Sequence, residues 1–272
     1  MLHLPLKLPS FSAVAAGQTA NVTVPRGPTY RQFMLDYRKA GVAATEAQMA
    51  TDLTRIRIKV NGVARIDISA AHLITILKYM GFTIDAGVLP IFLAWPTART
   101  PNYEEALAWG TRDVDTLTVE VDIAAGAGAV TLEASAWINQ TSLPLGPIMQ
   151  MMTINSAASA GGVFELSTLP RSNGDLASIH FFSANITGLE LLIDGNRIVD
   201  APLATLNASM KWTGRVPQAN VVHYEPTWLD RYDDRVPLAG ASDVRFKLNM
   251  SAAGTVPMVM CTLAAPLGIP AR

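Results

Sequence analysis

The chain has 272 residues, of which 21 are Lys or Arg and 22 are Asp or Glu, for a net charge of −1 at pH 7. This balance excludes a strongly charged tail, so the composition does not favour nucleic acid or an anionic membrane surface as the main partner. Only 16% of the residues are charged whereas 50% are hydrophobic. That is little charge for a chain that keeps most of its surface in water, and we expect part of the surface to be buried between subunits.

Two features of the sequence concern membranes and secretion. The longest apolar stretch, Gly87–Pro96, is far shorter than the ~20 residues that span a bilayer, so the sequence does not predict an integral membrane protein. The first residues lack a basic segment followed by an uninterrupted apolar segment. They therefore make a poor secretory signal, and we expect synthesis in a cytoplasm.

Alternation of apolar and polar residues with a period of two is the dominant pattern, and it predicts half-buried strands. In the first half of the chain the pattern occurs over 55–60 and 117–123. In the second half it occurs over 244–250 and again over 256–260. Each half is therefore predicted to end in a pair of strands.

Short helices are expected between the strands. The candidates Ala70–Tyr79 and Pro202–Trp212 are each preceded by an acidic residue and closed by a glycine, Gly81 or Gly214, and a third candidate is Thr45–Leu53. Because strands and helices do not alternate regularly, the pattern favours antiparallel sandwiches over a doubly wound parallel sheet, and no nucleotide-binding topology is expected. The predicted fold class is all-β with short helices in the connections.

An internal repeat relates the two halves. Ile58–Gly62 aligns with Leu191–Gly195 at an offset of 133 residues without a gap. At the same offset, Leu77-Lys78-Tyr79 aligns with Met210-Lys211-Trp212. One strand, one turn and one helix therefore occur twice.

The similarity extends outward when gaps are allowed. Val22–Arg26 resembles Ser167–Arg171, and 116–123 resembles 243–250. The alternative is chance agreement of two β-turn-helix segments, but the retained order of strand, turn, helix and final strand pair favours duplication.

Turns and a connection divide the chain. Asn61-Gly62 and Asp194-Gly195 predict tight hairpins, because both residues of a type I′ turn need positive φ. The segment from Asn139 to Gly162 is rich in Pro, Ser, Ala and Gly and has the composition of a connection between units. The predicted division is a first β-domain over 1–141, a linker over 142–162 and a second β-domain over 163–272.

The sequence predicts no catalytic, cofactor-binding or metal-binding residues. The histidines, His3, His72, His180 and His223, lack the spacing of a zinc site, and there is no His-x-His of the kind that cupin enzymes use. We interpret His72, His180 and His223 as packed or surface side chains. Cys261 lies in an alternating apolar segment and is predicted to be a buried structural thiol.

Two further motifs invite a functional interpretation. The cluster Asp230–Arg235 is interpreted as a solvated or inter-subunit salt-bridged loop, with a cation site or a glycosidase-type pair of carboxylates as alternatives. Gly126-Ala-Gly128 lies between two strand patterns, and we interpret it as a turn because a turn is a simpler interpretation there than a phosphate-binding loop.

The tryptophans could mark a sugar-binding platform. Trp95, Trp137 and Trp212 fall in regular elements, where we expect core packing. Trp109 and Trp228 fall in long connections before the last strand pair of each half, where we expect a surface or interface role. The connections that we expect to point outward or toward neighbouring subunits are 96–114 and 226–242.

Several segments, none of them a catalytic motif, resemble a known family. Leu8–Gly17 and Val24–Tyr30 resemble the start of the major capsid protein of corticovirus-type phages, which are tailless and contain an internal membrane. Leu169–Arg171, Ala177–His180 and Leu189–Gly195 resemble the opening of that family's second jelly roll. The resemblance covers both halves of the chain in the family's order.

The resemblance implies a double jelly roll, that is, two tandem eight-stranded β-sandwiches. It implies a homotrimer that forms a pseudo-hexagonal capsomer, and capsomers that tile an icosahedral shell over an internal membrane. The implied partners are other copies of the chain, penton proteins and minor membrane-associated capsid proteins, with only peripheral membrane contact, no specific nucleic acid and no cofactor. The implied location is the virion, after synthesis in the host cytoplasm, and Met1–Pro9 is either an inward arm or a disordered tail.

Two other classes of function remain as alternatives. A tandem β-sandwich that binds carbohydrate or a receptor, such as a viral spike, would use Trp109 and Trp228 as exposed platforms. An enzyme would require carboxylates or histidines that converge on one site, and the sequence does not place such residues together.

Overall fold

The computed structural model describes residues 3–97, 105–171, 174–238 and 240–264. These residues divide into two compact units. Within the described residues, the first unit consists of the chain up to Leu77 together with Thr83–Met151, and the second consists of Lys78–Phe82 together with Met152–Ala264.

The first unit contains two sets of antiparallel strands. One set is β1 (His3–Lys7), β3 (Thr29–Lys39), β4 (Val42–Ala43), β7 (Val88–Phe92) and β9 (Val130–Asn139). Its hydrogen-bonded order is β1-β9-β3-β4, and β7 also pairs with β3. The other set is β2 (Thr19–Thr23), β5 (Leu53–Val60), β6 (Val63–Ile68) and β8 (Leu117–Ile123), in the order β2-β8-β5-β6.

The core of the first unit follows from the alternation in the sequence. Phe33 and Leu35 of β3 and Ile56 and Ile58 of β5 are fully buried, while the residues between them are less buried. Because successive side chains of a strand point to opposite faces, one face of each set supplies the apolar core. The predicted half-buried strands at 55–60 and 117–123 are confirmed.

The second unit repeats this arrangement. One set of its strands is β10 (Ile148–Ala158, of which the part from Met152 onward belongs to this unit), β12 (Asp175–Phe182), β15 (Val221–Tyr224) and β17 (Gly254–Ala264), in the order β15-β12-β17-β10. The other set is β11 (Gly162–Leu166), β13 (Ile186–Ile193), β14 (Asn196–Pro202) and β16 (Val244–Met250), in the order β11-β16-β13-β14.

Aromatic side chains from both sets meet in the core of the second unit. The ring of Phe246 on β16 lies 5.6 Å from that of Phe181 on β12 and 6.1 Å from that of Tyr224 on β15. Such edge-to-face contacts between the two inner faces are typical of a β-sandwich. The strands predicted at 244–250 and 256–260 are confirmed as β16 and part of β17.

The three predicted helices are confirmed as α1 (Glu46–Asp52), α2 (Ala70–Tyr79) and α3 (Leu203–Lys211). The start of α1 is fixed by a capping box, in which the Thr45 side chain accepts from the Gln48 N–H and the Gln48 side chain accepts from the Thr45 N–H. Among the described residues, every helix is too short or too polar to cross a membrane.

Two segments differ from expectation. Most of the predicted linker 142–162 is strand β10, because Ile148, Gln150 and Met151 are buried and the small residues that follow resemble a connection only in composition. At the start of the chain, Met1–Pro9 is neither an arm nor a disordered tail over its described part, since β1 pairs with β9 from His3 to Lys7.

Candidate functional site

Each unit contains a hairpin turn whose side chain holds the start of a distant strand. Asn61 and Asp194 have φ of 50° and 49°, and the glycine after each also has positive φ, as the predicted type I′ turns require. The Asn61 side-chain oxygen accepts from the N–H groups of Asp115 and Thr116. The Asp194 carboxylate accepts in the same way from the residues before β16, Ser242 and Asp243. We name these two sites the turn clamps.

A second pair of matching contacts surrounds the turn clamps. Arg26 donates to the carbonyl oxygen of Val114, and Arg171 donates to that of Ala241. An isolated bridge joins Tyr30 to Trp109 in the first unit, and another joins Leu176 to Val236 in the second. At the offsets of the gapped repeat Arg26 corresponds to Arg171, Val114 to Ala241 and Trp109 to Val236, while Leu176 lies one residue beyond the equivalent of Tyr30. The duplication inferred from the sequence therefore extends to individual hydrogen bonds.

Replacing Asn61 with alanine is expected to lower the free energy of unfolding by about 1–3 kcal/mol, because two backbone N–H groups lose their acceptor and alanine must adopt a left-handed conformation. Urea unfolding at one fixed protein concentration measures the loss. The matched control is Asn61→Asp, which copies the turn clamp of the second unit and should stay within ~0.5 kcal/mol of the wild type. An alanine variant as stable as the wild type would contradict the role of the turn clamp.

Two histidines form a buried pair in the second unit. His180 on β12 and His223 on β15 are directly opposite each other, and their Nδ1 atoms are 2.8 Å apart. The Gln218 N–H donates to Nε2 of His223, so a neutral His223 carries its proton on Nδ1 and donates to His180. His180 is then protonated on Nε2, which lies 3.1 Å from the Ser178 hydroxyl oxygen.

Burial sets the protonation of this pair. It lowers the pKa of His223 to about 3 and, together with the charge that His223 would carry, lowers the pKa of His180 well below its usual value. Both rings are therefore neutral at pH 7. A second proton on His180 would set two N–H donors against each other at the Nδ1 atoms, and a second proton on His223 would face the Gln218 N–H.

An ion network lies beside the histidines. The Arg215 guanidinium donates to Glu225 at 2.8 and 3.0 Å and to Asp230 at 2.7 Å. The Tyr79 hydroxyl donates to Glu225 at 2.7 Å, and its ring stacks on His223 with 4.0 Å between centroids. Burial alone would lower the pKa of Arg215, but the hydrogen bonds to Glu225 and Asp230 raise it above its ordinary value.

This buried polar cluster has the burial and hydrogen bonding of a network that stabilises the fold. Its members, Tyr79, His180, His223, Arg215 and Glu225, are all buried, and the hydrogen bonds described above join them to one another or to Ser178, Gln218 and Asp230. The interpretation of His180 and His223 as packed side chains fits the structure, but their pairing was missed. The pairing depends on the register between β12 and β15, and no local pattern in the sequence reports that register.

The other residues that the sequence analysis considered as possible functional residues lie in environments typical of structural residues. Cys261 is buried, and burial raises the pKa of its thiol to about 11, as expected of a structural thiol. His72 is half-buried on α2, and burial lowers its pKa. Gly126-Ala-Gly128 lies between β8 and β9, where Ala125–Ala127 form one turn of 3-10 helix and Gly128 follows with positive φ. The absence of catalytic, cofactor and metal residues stays a prediction.

The cluster Asp230–Arg235 is a salt-bridged loop whose partners belong to the same chain. Arg231 pairs with Asp234 at 2.9 Å, and Arg235 pairs with Asp175 on β12 at 2.9 Å. Over the described part of the chain, no group of three or more His, Cys, Asp and Glu side chains is arranged to hold a metal ion. Pairing within the chain thus accounts for the charges of the cluster.

The tryptophans largely reverse their predicted environments. Trp95 is buried as expected. Trp137 and Trp212, predicted to pack in the core, are exposed, because Trp137 is on the outer face of β9 and Trp212 follows the end of α3. Trp109, predicted at the surface, is fully buried, and Trp228 is half-buried.

The connection 96–114 also differs from expectation over its described part, 96–97 and 105–114. Leu107, Trp109, Thr111 and Val114 are buried in the first unit, because the bridge between Tyr30 and Trp109 ties the connection to β3. The connection 226–242 mixes buried and exposed residues. Neither connection is therefore simply directed outward.

Comparison with known proteins identifies the family. The model of the viral coat protein P2 N-terminal domain matches residues 5–140, and the model of the P2 C-terminal domain matches residues 148–266. The chain belongs to the viral coat protein P2 family. Its division into domains at 1–141, 142–162 and 163–272 remains a prediction.

Individual relatives of this P2-family coat protein agree. It is 27% identical over 200 residues to the major capsid protein P2 of Pseudoalteromonas phage PM2, covering 71% of this chain and 70% of that protein. The crystal structure of P2 from bacteriophage PM2 superposes with a TM-score of 0.89 at 20% identity, covering 98% of this chain and 99% of the other.

More distant capsid proteins share the fold alone. The major capsid protein of Sulfolobus turreted icosahedral virus (STIV) has a TM-score of 0.71 at 12% identity, and covers 98% of both chains. The PBCV-1 capsid protein has a TM-score of 0.66 at 9% identity, covering 96% of this chain and 93% of the other. The predicted all-β double jelly roll is confirmed.

The family fixes the broad function. This coat protein is a major capsid protein, is located in the virion and associates with other copies of itself. The relatives are structural capsid proteins rather than enzymes. The resemblance to the major capsid protein of corticovirus-type phages is confirmed.

Proposed function

We propose that the coat protein forms a homotrimeric, pseudo-hexagonal capsomer that tiles an icosahedral shell over an internal membrane. The observation that carries the proposal is the duplication, which extends to the turn clamps at Asn61 and Asp194. A chain with two similar domains gives a trimer six similar lateral faces. A closed threefold ring of this kind packs in a hexagonal lattice.

The surface composition supports burial between subunits. With 16% charged residues the chain has little charge for its size, and several large apolar side chains are exposed on the single chain. Over the described residues they are Val42, Val63, Trp137, Leu143, Val163, Ile198, Trp212, Val216 and Leu229. Apolar surface that a lone chain exposes to water is stabilised by burial against a neighbour.

The further partners of the capsomer are part of the same proposal. Penton proteins would close the fivefold positions of the shell, and minor membrane-associated proteins would link it to the internal membrane. The coat protein itself would contact the membrane only peripherally. Its basic side chains on β5 are neutralised within the chain, since Arg57 and Lys59 pair with Glu120 and Asp122 on β8, so this face offers little net charge to a membrane or to nucleic acid.

A carbohydrate- or receptor-binding role is the second candidate function, and it has less support. It required Trp109 and Trp228 as exposed platforms, but Trp109 is fully buried. A sugar-binding aromatic must present a face to solvent. The exposed Trp137 and Trp212 keep this alternative testable by a glycan screen.

Light scattering of the purified protein tests the capsomer directly. We expect a mass of about 87 kDa, three times the 29.1 kDa protomer, because a closed threefold interface satisfies every copy equally. A mass of one chain at all concentrations tested would overturn the proposal. The same sample can then be screened against glycans.

A further inference from the structure

Each unit has an equivalent sheet face, and the environments of the two faces differ. In the second unit, strand pairing places His180 opposite His223 and Ser178 opposite Cys261. In the first unit, the equivalent pairing places Met34 opposite Pro90 and Gln32 opposite Trp137. The strand order, β15-β12-β17 and β7-β3-β9, is the same. The four residues of the first unit, Gln32, Met34, Pro90 and Trp137, are named here the outer β3 face.

The two faces differ in their exposure to solvent. His180, His223, Ser178 and Cys261 are all buried, with His223 at 0% exposure. On the outer β3 face, Trp137 is 37% exposed, and Gln32, Met34 and Pro90 are half-buried. The same position in the repeat is thus covered in one unit and open to solvent in the other.

Tyr79 is a side chain that covers the face in the second unit. It is 1% exposed, it stacks on His223 with the rings inclined by 10°, and its ring centroid is 5.3 Å from that of His180. Its hydroxyl donates to Glu225, the residue that follows β15. An aromatic ring from the end of a helix therefore completes this face.

Trp212 is the repeat equivalent of Tyr79. It occupies the aligned position two residues before a glycine of positive φ, Gly214, as Tyr79 does before Gly81. Yet Trp212 is 78% exposed, and nearby Val216 is also exposed. A tryptophan at a helix end thus projects into solvent where its counterpart is buried.

The chemistry of the two faces changes in parallel with the two aromatic residues. At the 133-residue offset the equivalent of Glu225 is Phe92, and the equivalent of His223 is Pro90. The face of the first half thus lacks the hydrogen-bond acceptor, and the aromatic residue at the helix end in the second half, Trp212, lacks the hydroxyl that would donate to it. The outer β3 face is mainly apolar, with Gln32 as its polar member, and matches a larger apolar ring, whereas the polar face of the second unit matches Tyr79.

We propose that Trp212 of one copy packs against the outer β3 face of a second copy of this chain. The inference rests on the proposed capsomer and names one contact that would hold it. Because Trp212 and the outer β3 face are different surfaces of the same chain, the contact is heterologous. Three such contacts close a ring, and each copy then both gives a tryptophan and receives one.

Replacing Trp212 with alanine tests the energetic role of the contact. We expect the dissociation constant of the trimer to rise at least tenfold, because a buried tryptophan at an interface is a typical hot spot. Sedimentation over a dilution series measures it. The matched control is Ile198→Ala, another exposed apolar residue, on β14; because it is not part of the proposed contact, it should raise the dissociation constant much less than Trp212→Ala does.

The outcomes separate this contact from the capsomer. A monomeric wild type overturns both proposals. A trimeric wild type whose Trp212→Ala variant resists dilution equally well overturns only the contact. Since Trp212 is exposed in the single chain, the variant should fold, and an unchanged melting temperature at concentrations where both proteins are monomeric checks this.

Cross-linking tests where Trp212 lies. One chain carries Trp212→Cys and the other Met34→Cys, both in a Cys261→Ala background, and the two are co-expressed and treated with a short bis-maleimide. We expect a covalent dimer that contains one chain of each kind. The control pair, Ile198→Cys with Met34→Cys, should give none. Mixed trimers without any cross-link between Trp212→Cys and Met34→Cys would overturn the proposed contact.

Discussion

Replacing Arg215 with methionine is expected to destabilise the chain by about 3–5 kcal/mol, the usual cost of removing one partner of a buried ion pair. The Arg215 and Glu225 side chains are 2% and 7% exposed. Without the guanidinium, the Glu225 carboxylate stays buried and keeps only the Tyr79 hydroxyl as a donor among the contacts described above. Urea unfolding at pH 7 and one fixed protein concentration measures the loss.

Two controls isolate the buried charge as the cause. The double variant Arg215→Met with Glu225→Gln removes the unpaired carboxylate and should recover part of the lost stability. Arg197→Met breaks an exposed pair with Asp200, in which both side chains are more than half exposed, and should cost less than ~1 kcal/mol. If Arg215→Met and Arg197→Met lowered the free energy of unfolding equally, burial would not increase the contribution of the ion network to stability.

Acidification is expected to destabilise the second unit through the histidine pair. The folded-state pKa of His223 is about 3, and that of His180 is also far below its ordinary value, because both rings are buried. In the unfolded chain both titrate near ~6.5. The unfolded state therefore binds more protons, and stability that is fully present above pH ~6.5 is lost as the pH falls toward about 3. The slope is up to about 1.4 kcal/mol per pH unit for each histidine.

The pH dependence is measured as the free energy of unfolding between pH 7 and pH 4.5. The comparison protein is His180→Met with His223→Gln, in which glutamine can still accept from the Gln218 N–H. All other titrating groups are the same in the two proteins, so the difference in slope belongs to the pair. Parallel pH profiles for the two proteins would mean that the histidines do not stay neutral in the fold.

Local patterns in the sequence account for the elements of this fold. Alternation located β5, β8, β16 and part of β17, because one face of each strand is buried. Asn61-Gly62 and Asp194-Gly195 predicted their turns, because few other residue pairs adopt positive φ twice in succession. Helices α2 and α3 followed from their closing glycines. Each of these signals is contained within a few neighbouring residues.

Environments that depend on distant residues could not be predicted in this way. Trp109 was assigned to the surface because it lies in a connection, but it bridges to Tyr30, about 80 residues earlier in the chain. The pairing of His180 with His223 depends on strand register. Strand β10 was hidden because its second half is rich in Ser and Ala. For Trp109 and for the histidine pair, the deciding contact is between residues far apart in sequence.

The turn clamps also constrain when each unit can fold during synthesis. The hairpin at Asn61 can form its turn clamp only after Asp115 and Thr116 have been synthesised. The hairpin at Asp194 can do so only after Ser242 and Asp243 have been synthesised. Because a chain leaves the ribosome from its N-terminus, the first unit can complete its contacts while the clamp partners of the second are still untranslated. Because the internal repeat relates the two halves, their equivalent strands have similar sequences. Because the two halves leave the ribosome one after the other, the strands of the first half can pair among themselves before the equivalent strands of the second half have emerged.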